Sequence, residues 1–135
     1  MTDCIFCSII AGDLPGHVIA EDDQTLAFLD IMPFARGHTL VIPKVHTEDF
    51  WSIEVATAQA MIATAHRVGA MARENLGADG LNLFQATRAV AWQTVFHVHL
   101  HVIPRWEGDG FEQPGWASPM AEQDVLGAVA ADLRG

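Results

Sequence analysis

Phe96-His97-Val98-His99-Leu100-His101-Val102-Ile103 alternates imidazole with aliphatic side chains through three repeats. Side chains along a β-strand point to opposite faces in turn, so the stretch predicts a strand, from about Thr94 to Ile103, with two unlike faces. Val98, Leu100 and Val102 belong to an apolar core. His97, His99 and His101 stand in a row on the other side, successive imidazoles about 6–7 Å apart. An ordinary solvent face mixes Thr, Lys, Glu and Ser. Three imidazoles in a row instead suit metal ligation, acid–base chemistry or nucleophilic attack. A cupin-like metal site fits poorly, because it needs a carboxylate three or four residues after the histidines, and the first after His101 is Glu107.

Around this strand the chain reads as further short strands and one long helix. Val18 to Glu21 and Thr25 to Asp30 flank the acidic turn Asp22-Asp23 as a hairpin. Thr39 to Pro43 is a nearly continuous apolar run, which predicts a strand buried on both faces, and Leu81 to Gln85 is a fourth strand. From Ser52 to Leu76 the residues Ala58, Met61, Ile62, Ala65, Val68, Ala72 and Leu76 recur at helical spacing, with Ser52 as N-cap and Gly77 as the stop. A short N-terminal helix closes at Ala11 before Gly12 and Pro15. The stretch after Pro104 is rich in glycine and proline and reads mostly as loop, with a last short helix from Asp124 to Leu133. Runs of strands with one long helix indicate an α+β fold built on a five-stranded antiparallel sheet.

The 135 residues make one domain of ordinary size, and half of them are hydrophobic, enough for a sizeable core. Seventeen acidic residues against seven basic ones give a net charge of −10. Such a surface argues against a nucleic-acid partner, which needs clustered Lys and Arg to replace phosphate counterions. No apolar run approaches the roughly 20 residues of a membrane span, and Met1-Thr2-Asp3-Cys4 lacks the basic start of a secretion signal. The expectation is a cytoplasmic protein with no membrane partner. Its two cysteines, Cys4 and Cys7, admit three readings: a redox pair, half of a metal site, or a packed contact. Their place at the N-terminus, with no strand before them, disfavours the redox reading.

The motifs around the triad carry a resemblance. Cys4-Ile5-Phe6-Cys7 opens the chain, and Glu21-Asp22-Asp23 precedes Ala27-Phe28-Leu29-Asp30-Ile31. Gly37-His38-Thr39-Leu40-Val41-Ile42-Pro43-Lys44 follows, Gln93-Thr94-Val95-Phe96 leads into the triad, and Pro104-Arg105 leaves it. In this order the set resembles the histidine triad (HIT) superfamily, on its bacterial Hint-like branch. The likeness covers about residues 4–111 of a single domain spanning 1–135, with 112–135 as a C-terminal tail.

The resemblance implies a hydrolase or transferase acting at the α-phosphate of a purine nucleoside conjugate, a phosphoramidate or a dinucleoside polyphosphate, through a nucleotidyl-histidine intermediate. On that pattern His99 is the nucleophile, His101 and His38 flank the phosphate, Gln93 orients the leaving atom or water, and Thr94 holds an oxygen. Asp30 meets the ribose hydroxyls, and Ile5, Phe6, Ile9, Phe28 and Ile31 wall the base. The resemblance also implies a structural zinc held by Cys4, Cys7, His46 and His97. Further, it implies a two-fold homodimer whose sheets join into ten strands. The lysine-free strand Leu81 to Gln85 suits such an edge, the small residues Ala58, Ala65 and Ala72 suit close helix approach, and Trp116 in the tail would reach the neighbouring site. An alternative keeps the fold without the chemistry, as a nucleotide-binding or interaction protein.

The loop before the triad departs from the family pattern. Ala86 stands where an amide is usual, and Trp92 where a glycine is usual. A large side chain there cannot cheaply adopt a positive φ. The departure predicts either a pocket reshaped for another leaving group or weakened turnover.

Overall fold

The computed structural model describes residues 3–111 and 120–135. In chain order the elements are α1 (Ile5–Ala11), β1 (Val18–Glu21), β2 (Thr25–Leu29), β3 (Thr39–Pro43), α2 (Val55–Leu76), β4 (Gly80–Gln85), a 3-10 turn (Ala89–Ala91), β5 (Leu100–Arg105) and α3 (Gln123–Arg134). The strands form one antiparallel five-stranded sheet in the order β1-β2-β3-β5-β4. The α+β architecture read from the sequence is therefore the one present.

Local chemistry sets the ends of the elements. The Cys4 sulfur accepts from the Cys7 amide at the start of α1, and Gly12 closes that helix with φ 83°, a conformation open to glycine at little cost. In the β1–β2 turn, Asp22 Oδ1 accepts from the amides of Gln24 and Thr25. The Thr25 and Thr64 hydroxyls lie 2.6 Å apart, both buried, so the hairpin is tied to α2. The long helix starts later than its hydrophobic spacing suggested. Ser52 does not cap it; its amide and hydroxyl bond Asp49 Oδ1 in a preceding turn, and Glu54 takes the N-cap position. Its end at Gly77 is as expected, with φ 65°.

The two faces of the sheet carry different layers. On one, Ile19, Ala27, Leu29, Val41, Leu100 and Val102 pack under Met61, Ala65, Val68 and Ala72 of α2 and under Leu126, Ala130 and Leu133 of α3. The C-terminal segment is thus not merely a tail to a core ending near residue 111, because α3 completes that core. Ala65 and Ala72 are consumed in this packing, at 1% and 0% exposure, so they do not form an outward stripe for a partner helix. The outward side of α2 instead presents Ile62, His66, Gly69 and Ala70. On the opposite face, Phe6 and Ile9 of α1 cover Leu26, Phe28, Leu40 and Ile42.

β5 is shorter and later than the sequence suggested. Residues 94–99 bend at 95–97 and pass beside the segment that follows β3, where the Val98 amide bonds the Thr47 carbonyl at 2.7 Å rather than joining a strand ladder. The alternation persists without the ladder. Val98, Leu100 and Val102 enter the helix-covered core, and the three imidazoles go to the other side.

Candidate functional site

A single cross-sheet row organises the site. Val18 pairs with Phe28, Phe28 with Leu40, Leu40 with His101, and His101 with Phe84, so these residues share one face. His99 lies beside this row, its ring centroid 5.1 Å from that of His101 and 5.2 Å from that of Phe6. Both contacts are steep edge-to-face approaches.

The hydrogen bonds settle where each imidazole carries its proton. The His97 carbonyl accepts at 2.8 Å, so His99 donates from Nδ1 and its lone pair is on Nε2. The Phe34 amide donates to His38 Nδ1 at 2.9 Å, which puts the His38 proton on Nε2. That proton is given to His101 Nδ1, 2.8 Å away, so His101 carries its own on Nε2. The Asp30 carboxylate lies 3.6 Å from His38 Nε2 and accepts from the Met32 amide. His38 therefore stands behind His101 with both ring nitrogens engaged. Asp30, His38 and His101 are close enough to be considered as metal ligands, but the 2.8 Å imidazole pair is a hydrogen bond and accounts for the arrangement.

Burial keeps these groups neutral. Loss of solvent, then the neighbouring His99, holds His38 down at about 3. Burial with His38 and His99 nearby holds His101 at about 3. His99 is lowered by burial, against which its bond to the His97 carbonyl acts. A neutral imidazole with an unprotonated Nε2 is the form a nucleophile requires. Asp30 is raised by burial, partly offset by the Met32 amide.

Gly37 makes the approach to β3 possible. It has φ 82°, a conformation glycine adopts at little cost, and a Cβ there would lie 2.8 Å from Leu76 Cδ1, so glycine suits the turn that leads to His38. Phe34, whose amide fixes the His38 tautomer, has its ring 4.3 Å from that of Phe111 and under the Arg105 guanidinium. Arg105 is itself held by Asp109 through Nε and Nη2 at 2.7 and 2.9 Å.

The remaining expected residues fall in different places. Phe6 and Phe28 are buried with ring centroids 5.4 Å apart, and Ile9 is half-buried against them. Ile5 and Ile31 are exposed, as is Thr94. Gln93 is buried, and its amide serves the main chain. Oε1 accepts from the Arg88 amide at 2.7 Å, and Nε2 donates to the carbonyls of Glu48 at 2.7 Å and Val95 at 3.0 Å. Trp116 lies outside the described residues.

The loop before the triad holds what the sequence did not single out. The Arg88 guanidinium forms an ion pair with the Asp49 carboxylate, Nε to Oδ2 2.9 Å, and lies over the Trp51 ring. Arg88 and Trp92 have φ 76° and 80°, the two positive values at non-glycine positions among the described residues. Of the two only Trp92, with ψ 19°, is in the left-handed helical conformation, which costs an ordinary residue on the order of 1–2 kcal/mol, whereas Arg88 has ψ 155°. Trp92 thus takes the backbone that its size argued against. Nothing local in the sequence links Arg88 to Asp49, and only Ala86 in place of an amide and Trp92 in place of a glycine marked the loop.

A second cluster lies on the other side of His97. Cys4, Cys7, His46 and His97 bring one donor atom each within 4.8 Å of all the others. Cys4 Sγ to His97 Nδ1 is 3.4 Å, Cys7 Sγ to His46 Nδ1 3.3 Å, Cys7 Sγ to His97 Nδ1 3.6 Å, and His46 Nδ1 to His97 Nδ1 3.2 Å. Metal–sulfur and metal–nitrogen bonds of about 2.3 and 2.0–2.1 Å give tetrahedral edges of roughly 3.3–3.8 Å. The donor set fits a tetrahedral ion. His97 Nε2 donates to the Pro43 carbonyl at 2.8 Å, which turns the Nδ1 lone pair to the cluster. The cysteines are not joined by a disulfide.

Comparison with known proteins agrees with this geometry. The HIT domain family matches residues 11–108. Protein hit of Bacillus subtilis (strain 168) is 43% identical over 110 residues, covering 81% of this chain and 76% of that protein. The crystal structure of a zinc-bound histidine triad family protein from Mycobacterium smegmatis is similar at a TM-score of 0.86 and 44% identity, over 98% of this chain and 91% of that one. A HIT family hydrolase from Clostridium thermocellum is similar at 0.69 and 32% identity, over 84% and 99%. With its three imidazoles in one row and this likeness running through most of its length, the chain belongs to the HIT domain family.

Proposed function

We propose that this protein is a nucleotidyl hydrolase or transferase acting at the α-phosphate of purine nucleoside conjugates, of the phosphoramidate or dinucleoside polyphosphate type. The observation that carries the reading is the unprotonated Nε2 of His99, set by its Nδ1 bond to the His97 carbonyl. In the first step His99 Nε2 bonds to phosphorus as the bond to the leaving group breaks, and the leaving group takes up a proton from solvent. The oxygen of a water then bonds to phosphorus as the phosphorus–Nε2 bond breaks, which frees the imidazole. The water gives up a proton to solvent, so the two steps sum to hydrolysis. His101 donates from Nε2 to a phosphoryl oxygen as charge develops, and His38 fixes that orientation from behind. Asp30 receives the ribose hydroxyls, and Phe6, Ile9 and Phe28, with Ile5 and Ile31 at the rim, take the base. Thr94 serves an oxygen at the open side. Release of AMP from adenosine 5′-phosphoramidate by the protein, and its loss in His99→Ala, tests the assignment; equal rates in both refute it.

Cys4, Cys7, His46 and His97 hold a structural zinc in this reading. Four protein ligands leave no open position, so the ion ties α1 to the segment bearing His99 and supplies no Lewis acid to the reaction. The protein works in the cytoplasm, where such thiolates stay reduced. It pairs as a two-fold homodimer across β4 and the outward face of α2. β4 is an exposed edge strand, and beside it Ile62, Gly69, Leu81 and Leu83 line an open groove of about 900 Å³.

One observation favours a second reading, a nucleotide-binding protein with little turnover. Both hydrogens of the Gln93 amide are spent on main-chain carbonyls, which removes them from any leaving group. AMP binding without release from the phosphoramidate would decide for it.

A further inference from the structure

Trp92 adopts φ 80° and remains 64% exposed, so most of its indole faces solvent. What it does meet is Phe84, with ring planes 19° apart and centroids 6.2 Å apart. Phe84 in turn faces His101 across the β4–β5 ladder, with centroids 5.8 Å apart. Ring contacts therefore lead from His99, through His101 and Phe84, to Trp92 at the surface. On its other side His99 meets Phe6, which leads to Phe28. The nucleophile is flanked by two separate aromatic groups.

We infer that Phe84 and Trp92 form a stacking shelf for a planar aromatic ring on the leaving group. This inference rests on the proposed nucleotidyl chemistry, in which the base lies on the Phe6–Phe28 side. A substrate seated there carries its other phosphorus substituent past His101 and onto Phe84 and Trp92. An aromatic ring fits that end better than an aliphatic chain, because offset stacking on an exposed indole adds an attraction beyond simple burial. The positive φ of Trp92 then has a use, since it brings the indole alongside Phe84.

Calorimetric titration with three probes tests the shelf: AMP, its 2-phenylethyl phosphodiester and its octyl phosphodiester, the two esters matched in carbon number. On the wild type the phenylethyl ester is expected to bind about threefold to tenfold tighter than the octyl ester. Trp92→Gly is expected to bring the two affinities together. Equal affinities in the wild type, or a preference that survives Trp92→Gly, overturn the shelf, while binding of AMP in the same experiment leaves the nucleotide reading standing. Failure of AMP to bind removes that reading and the shelf with it. Thermal denaturation separates a packing role: glycine relaxes the backbone, so Trp92→Gly should melt no lower than the wild type. A clear fall in its melting temperature would assign the indole to holding the loop and overturn the inference.

Discussion

His38 Nε2 lies 2.8 Å from His101 Nδ1, while the other nitrogen of His38 is held by the Phe34 amide. A main-chain N–H thereby dictates the tautomer of two imidazoles in series.

Removing the relay should harm the chemical step more than substrate binding. His38→Ala leaves His101 free to carry its proton on either nitrogen, so kcat for a phosphoramidate should fall on the order of 10²-fold with KM changed far less. His38→Asn, which restores a donor, should recover part of that loss. Steady-state kinetics of the two variants check this, and a KM effect alone would contradict it.

The depressed value of His38 has a signed consequence for stability. The unfolded chain takes up a proton near 6.5, whereas the folded protein resists it down to about 3. Stability is full above pH 6.5 and falls as the pH drops toward 3, by up to about 1.4 kcal/mol per pH unit from this one group. Urea denaturation at pH 7.5 and pH 5 should show the decline. His38→Gln should lessen the dependence on pH.

Metal analysis should find one zinc per chain, a consequence of the tetrahedral edges among Cys4, Cys7, His46 and His97. Cys4→Ser with Cys7→Ser should abolish the zinc and lower the melting temperature, because metal affinity is part of folding stability. A strong chelator should do the same to the wild type. Full stability of the metal-free protein would count against the site.

The exposed strand β4 should seat a second copy. Light scattering at micromolar concentration should give twice the 14.7 kDa chain mass. Leu83→Lys, on the exposed edge, should shift the protein to monomer with its fold intact by circular dichroism. A wild type that scatters as a single chain would refute the pairing.

Much of this was legible because its signals are local. The His-x-His-x-His alternation gave the two faces of the triad segment, and the apolar run Thr39–Pro43 gave a strand buried on both sides. Glycines at Gly12 and Gly77 marked helix ends through a backbone requirement visible in one residue. What failed depended on distant partners. Ser52 looks like a cap until Asp49 engages it, and Ala65 and Ala72 look available to another helix until the chain's own sheet covers them. Residues 94–99 read as strand, but their neighbour is the segment after Pro43, whose path no local pattern discloses. The cysteine half of the candidate metal cluster was legible as a half-site, but His46 and His97 came from resemblance alone, since nothing in their spacing requires them to meet the cysteines.

That cluster also sets an order of events during synthesis. Cys4 and His97 are 93 residues apart, with His46 between them. As the chain leaves the ribosome, Cys4 and Cys7 emerge first and wait until most of the sheet has been made before their last ligand arrives. A released fragment ending before His97 has only three of the four donors. His99, the proposed nucleophile, is two residues further on and emerges with that last donor, so a chain cut short before His97 lacks both the fourth proposed metal ligand and the proposed reactive imidazole.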